Sequence, residues 1–230
     1  MRKEEPGASD HIQSAEFRKF LKESFRRLFT HFGPQDWWPA RTKFEVMVGA
    51  ILPQNTNWNN VERAIHNLRE KGLLDPFTLK ERRKILPELI RPTGYYKSKS
   101  RRLLNLVDYL IENYQGSVLR MRRKGLSKLR QELLLISGIG KETADSILLY
   151  ALDKPVFVID AYTRRILKRH GFPSDDEYDK LRYWFESNLP PRVDLLKEFH
   201  ALLVMAGKTY CRKDVPDCLS CPLADLRDLS

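Results

Sequence analysis
Cysteine is nearly absent from this chain, with three among 230 residues, all in the last twenty. So few thiols exclude a disulfide framework, and their clustering leaves a metal site as the candidate reading. Long hydrophobic runs are missing too, and none approaches the ~18 residues that a membrane span requires. The opening "MRKEEPGASDH" lacks the apolar core of a secretory signal, which gives the expectation of a cytoplasmic protein with no membrane partner. Alternating apolar and polar positions, the mark of half-buried strands, do not recur anywhere convincingly. What is present is a globular composition, 42% hydrophobic and 31% charged, long enough for one large domain or two small ones. Lys and Arg number 41 against 30 Asp and Glu, a net charge of +11. A surface of that sign fits a polyanion, with nucleic acid ahead of anionic membrane; the alternative is a basic surface with no partner.

Helical periodicity runs through almost every segment. Phe17, Phe20, Leu21, Phe25, Leu28, Phe29 and Phe32 form an apolar stripe that stops at Gly33-Pro34. "TKFE" from Thr42, "TLKE" from Thr78 and "SDDE" from Ser174 read as capping-box starts, and Gly72, Gly116 and Pro190-Pro191 as stops. The fold class is therefore all-α, with roughly ten helices. Residues 1–13 are expected to be a disordered tail. The basic runs "RRKIL", "YYKSKSRR" and "RMRRKG" fall between or at the ends of helices, where they are solvated faces or the lining of one groove.

The most informative stretch is "LLLISGIGKETADSILLYALDKPVFVIDAYTRRIL". A helix over Leu126 to Ile136 and another from Lys141 flank Gly138-Ile139-Gly140. The glycines permit conformations closed to other residues and let the turn approach another surface. The unpaired N–H groups opening the second helix favour an anion, and Lys141 adds positive charge. The plain alternative is a helix hairpin that needs room. Asp160 stands alone in an apolar and cationic neighbourhood, and its ordinary role would be to cap the helix beginning at Ala161.

Together these residues resemble the endonuclease III, or helix-hairpin-helix-GPD, superfamily of DNA glycosylases. The resemblance covers about Thr42 to Cys221, with its pieces in order. "GAILPQNTNWNNVERAI" resembles the family's early loop, whose glutamine, here Gln54, enters the space left by an extruded nucleotide. "RPTGYYKSKSRRL", with Tyr95 and Lys97, resembles the second DNA-facing loop, and "FVIDAYTRRI" supplies the catalytic aspartate, Asp160. The resemblance implies two helical lobes with a central cleft. Residues 39–152 would form a six-helix barrel containing the hairpin, 126–151. Residues 14–38 with 153–230 would form the second lobe. It further implies a monomer acting on damaged double-stranded DNA, with Gly138, Gly140 and Lys141 on the phosphates.

Two departures from the family pattern bear on chemistry. Members that cleave the strand carry a Schiff-base lysine directly before Thr-Ala in the second hairpin helix; here that residue is Glu142, which cannot form an imine. Lys141 is adjacent, but one helical step turns a side chain by about 100°. The second departure is aromatic. Trp37, Trp38 and Pro39 precede Thr42, and Trp58 follows Gln54. Core packing accounts for most tryptophans, yet this arrangement is similar to the bacterial 3-methyladenine DNA glycosylases of the endonuclease III type. A base pocket of Trp37, Trp38, Pro39, Trp58 and Glu142 would then receive a cationic alkylpurine. The rivals are an endonuclease III-like lyase acting on oxidised pyrimidines and a non-catalytic helix-hairpin-helix DNA-binding module.

Cys211, Cys218 and Cys221 follow the opening of the family's spacing for a [4Fe–4S] cluster, but its fourth position falls on Arg227. Asp225 or Asp228 would complete the ligand set, or the cluster would be labile at one iron. Zinc, or no metal at all, are the alternatives.

Overall fold
The computed structural model describes residues 8–35, 38 and 40–229, with side chains placed from residue 15 to residue 226 within that range. Among these residues there is no strand, and no helix is long and apolar enough to cross a membrane. The chain divides into two compact units, residues 38–155 and residues 1–37 with 156–230.

The unit of residues 38–155 is built around α2 (Lys43–Ile51), which is buried on nearly every side from Phe44 onward. A helix apolar all round has no solvent face, so its neighbours must enclose it. These are α3 (Trp58–Glu70), the long α6 (Tyr96–Tyr114) and two elements later in the chain, Lys141–Ser146 and Ile147–Ala151, while the short α4 (Pro76–Glu81) and α5 (Leu86–Leu89) pack on α6. Helix α7 (Val118–Arg122) leads to the hairpin pair α8 (Leu126–Leu135) and α9 (Lys141–Ser146), and a π-turn, Ile147–Ala151, closes the unit. Leu103, Leu106, Val107 and Leu110 of α6 and Leu129 and Leu133 of α8 are all fully buried.

The other unit contains α1 (Ala8–Phe32), α10 (Ala161–Arg169), α11 (Tyr178–Asn188), α12 (Val193–Thr209) and a terminal 3-10 turn. Phe17 of α1 meets Phe185 of α11 edge-on at 5.4 Å, and Phe185 stacks on Phe157 at 4.1 Å. Phe25 reaches Phe199 of α12 at 5.6 Å. The aromatic stripe of α1 is therefore the core of this unit, except that Phe29 is partly exposed.

Three expectations about helix starts are corrected. Helix α1 begins at Ala8, so residues 8–13 of the supposed tail are helical, while 1–7 lie outside the described residues. Of the capping boxes only Thr42 caps, accepting the Glu45 N–H at 3.1 Å. Helix α4 starts three residues earlier than "TLKE" suggests. Asp75 accepts the N–H groups of Phe77 and Thr78, Pro76 occupies the first position, and the Thr78 hydroxyl donates back to Gly72 and Asp75 carbonyls. A carboxylate followed by proline outcompetes a hydroxyl three residues on. Ser174 caps nothing; α11 begins at Tyr178, and the Ser174 carbonyl instead accepts Arg164. Replacing Thr42 or Asp75 by Ala should each cost about 1 kcal/mol in urea unfolding, and unchanged midpoints would show that these caps do not set the helix starts.

Candidate functional site
The hairpin between α8 and α9 is tightly specified. Ile139 is buried and its N–H returns to the Ile136 carbonyl, so the turn folds back on itself. Gly138 has φ +93, and a Cβ there would lie 2.4 Å from Cγ of Arg102. It must be glycine on both counts. Gly140 differs: it caps α9 with φ −87 and no side-chain bond, and a Cβ would meet nothing within 4 Å. Nothing in the fold demands glycine there. Arg130 grips the fully buried Asp145 with two nitrogens, at 2.7 and 3.1 Å, locking α8 to α9. Lys141 and Glu142 are exposed on the first turn of α9.

Helix α6 ties this hairpin to the two loops predicted to face DNA. Lys99, Arg102 and Asn105 stand three residues apart and share one face. Lys99, fully buried, donates to the carbonyls of Leu52 at 2.8 Å and Thr93 at 2.7 Å. Arg102 donates to Oε1 of Gln54, whose Nε2 donates to Oγ1 of Thr143 at 2.9 Å. Asn105 donates to the Ser137 carbonyl at 2.9 Å. Burial, with help from the Arg102 charge, pushes the Lys99 ammonium down to about 8. Gln54 is thus held at both ends of its amide. Tyr95, at φ +45, is 72% exposed, and Lys97 is exposed beside it.

Of the proposed aromatic pocket, Trp37 and Pro39 lie outside the described residues. Trp38 meets Trp58 edge-on at 5.8 Å and lies against Tyr150 of the π-turn at 5.0 Å. Its indole covers Gly49, where a Cβ would be 3.0 Å from Nε1. Trp58 opens α3 and donates to Glu62 at 2.8 Å. Both tryptophans border a cavity of about 210 Å³ that also exposes Glu62, Arg69 and the buried Glu45. Glu45 pairs with Arg69 and accepts the Arg41 N–H. Glu142 does not line this cavity.

Asp160, in the other unit, is the N-cap of α10, and its Oδ1 accepts the Thr163 N–H at 2.7 Å. Its Oδ2 lies 3.6 Å from Nε2 of His200 on α12. Burial works against the charge, but His200 and the Thr163 N–H together outweigh it and hold the carboxyl below its usual range. Capping and a charged site therefore coexist. His200, Lys99, Arg102 and Thr143 escaped the sequence reading. Lys99 carried a signal, since it continues the apolar stripe of Leu103, Leu106 and Leu110. His200 carried one too, as the lone titratable residue in "FHALLVMAG".

Cys211, Cys218 and Cys221 border one cavity of about 20 Å³ together with Asp217, His170 and Arg169. That volume accommodates about one water. Arg169 donates to Sγ of Cys211 at 3.1 Å, and Asp225 points away, 3.5 Å from Arg27. The Asp228 and Arg227 side chains lie outside the described residues. Among the described residues no group of three or more His, Cys, Asp or Glu is placed to hold a metal ion. Three thiols converge, but they do not fit a four-thiolate cluster.

The sequence matches the family described as "HhH-GPD superfamily base excision DNA repair protein" over residues 48–191. The Methanocaldococcus jannaschii protein named "Putative DNA repair glycosylase MJ1434" is 48% identical over 211 residues, 90% of this chain and 95% of that one. The Helicobacter pylori 3-methyladenine DNA glycosylase MagIII, solved bound to 1,N6-ethenoadenine, is similar with a TM-score of 0.72 and 29% identity. The match covers 84% of this chain and 97% of that one. A non-covalent endonuclease III–DNA complex has the same fold, with a TM-score of 0.77 at 23% identity over 91% and 94% of the two chains. The chain belongs to the HhH-GPD superfamily of base excision DNA repair proteins.

Proposed function
We propose that this glycosylase removes alkylated purines such as 3-methyladenine from duplex DNA by hydrolysis, without cleaving the strand. The observation that carries the reading is the joined pair Trp38 and Trp58, backed by Tyr150 and bordered by Glu62 and the Glu45–Arg69 ion pair, a lining with one net negative charge. An electron-rich, acidic edge attracts a flipped cationic base by stacking and cation–π interaction, and holds a neutral base less tightly. N3-alkylated adenine is such a cation, and its glycosidic bond is already weak. Likeness to the 3-methyladenine DNA glycosylase MagIII supports the same substrate class.

Asp160 supplies the remaining requirement. As the base leaves, the sugar gains oxocarbenium character, which a nearby carboxylate stabilises or to which it directs a water. Glu142 stands where a strand-cleaving relative would carry its lysine, and a carboxylate forms no imine. Gln54 fills the gap in the stack, and Tyr95 and Lys97 contact the neighbouring strand. The hairpin grips phosphate through the amides around Gly140, with Lys141 adding charge. No step is routed through the cysteine segment.

Two outcomes follow. In Trp58→Ala, release of a cationic alkylpurine should slow by roughly ten- to a hundredfold, the worth of ~1–3 kcal/mol of stacking. A neutral substrate should suffer less, and equal losses for both would remove the cation–π argument. In Gly140→Leu, stability should fall by no more than about 1 kcal/mol, because the Cβ meets open space. Binding should weaken alike for damaged and undamaged duplex, by fluorescence anisotropy; a loss confined to damaged duplex would place the hairpin at the lesion instead.

A further inference from the structure
Helix α12 presents an almost wholly apolar run from Phe199 to Gly207, broken only by His200. That histidine is buried, edge-on to the Phe157 ring at 6.3 Å. Burying an imidazole among leucines costs free energy unless a partner meets it. Its register against α10 is not loose. Two turns along the same face, Gly207 lets Tyr162 pack so close that a Cβ would fall 2.4 Å from its ring. Arg165 then donates to the carbonyls of Gly207 at 3.1 Å and Cys211 at 2.6 Å, fastening α10 to the last turn of α12. With that end pinned, Nε2 of His200 comes to 3.6 Å from Oδ2 of Asp160, longer than a hydrogen bond, while the Thr163 N–H occupies Oδ1.

We propose that His200 is the positioning residue for Asp160: its imidazole closes on the Oδ2 side at 3.6 Å, while the Thr163 amide bonds Oδ1, so that the carboxylate cannot swing before DNA arrives. The inference rests on the reading of Asp160 as the carboxylate that serves base release, and it adds a residue outside the motif that carries that aspartate.

The test is single-turnover release of 3-methyladenine from duplex by the full-length protein, alongside DNA affinity by anisotropy. His200→Leu should lower the rate constant by roughly tenfold, as expected when a close polar contact to a buried carboxylate is lost, with affinity unchanged. His200→Gln, whose amide puts a polar group in nearly the same place, should recover most of the rate. Combined with Asp160→Asn, His200→Leu should add no further loss, since both act through one carboxylate. A wild-type rate in His200→Leu beside an inactive Asp160→Asn overturns the inference and leaves the aspartate's role intact. Equal losses in the Leu and Gln variants would mean that His200 serves packing only, which also overturns it. A wild-type rate in Asp160→Asn overturns the underlying reading instead.

Discussion
The hydrogen bond from the Thr163 N–H to Asp160 joins two demands that usually conflict. A helix start needs an acceptor for its unpaired amides, and a carboxylate out of water needs donors to remain charged. At Asp160 one contact meets both. The apolar approach through Val156, Phe157, Val158 and Ile159 is buried, with Phe157 packed on Phe185 of α11 and Phe199 of α12, so the carboxylate sits at the end of a fixed segment. Arg165 and Arg169 extend the same logic by binding carbonyls and a thiol of the cysteine segment. That segment is fastened by guanidinium bonds and by the buried Leu223 and Leu226.

In the unit of residues 38–155 the corresponding element is the polar face of α6. Lys99, Arg102 and Asn105 bind the Leu52–Gln54 turn, the Thr93 loop and the hairpin, so three segments far apart in sequence share one support. The price is a buried ammonium, offset by two carbonyl acceptors. Such a face does not read sequence; it sets spacing among loops, which a protein that grips a regular backbone requires.

Much of this was legible in the residues themselves. The glycine turn, the aspartate twenty residues on and the apolar periodicities specified the hairpin, the α10 cap and the all-α class. The misreadings share a physical cause. "TLKE" and "SDDE" satisfy a local pattern, but Asp75-Pro76 makes a stronger start than Thr78, and the Ser174 carbonyl is taken by Arg164. Local patterns fail where a competing contact lies outside the window. The partners of Asp160 and Gln54 were hidden for the same reason, since His200 and Arg102 are brought to them by helix packing. The cysteine spacing follows the opening of a cluster site, and Arg227 stands where a fourth sulfur would be.

The central claim is that base removal here proceeds on a cationic alkylpurine without covalent attack on the sugar. It is tested most directly by a panel of duplexes, each carrying one lesion, incubated with the enzyme under borohydride and scored for strand breaks with and without alkali. Release of 3-methyladenine, breaks only after alkali, and no trapped enzyme–DNA adduct are expected. Efficient excision of thymine glycol together with a trapped adduct would contradict it.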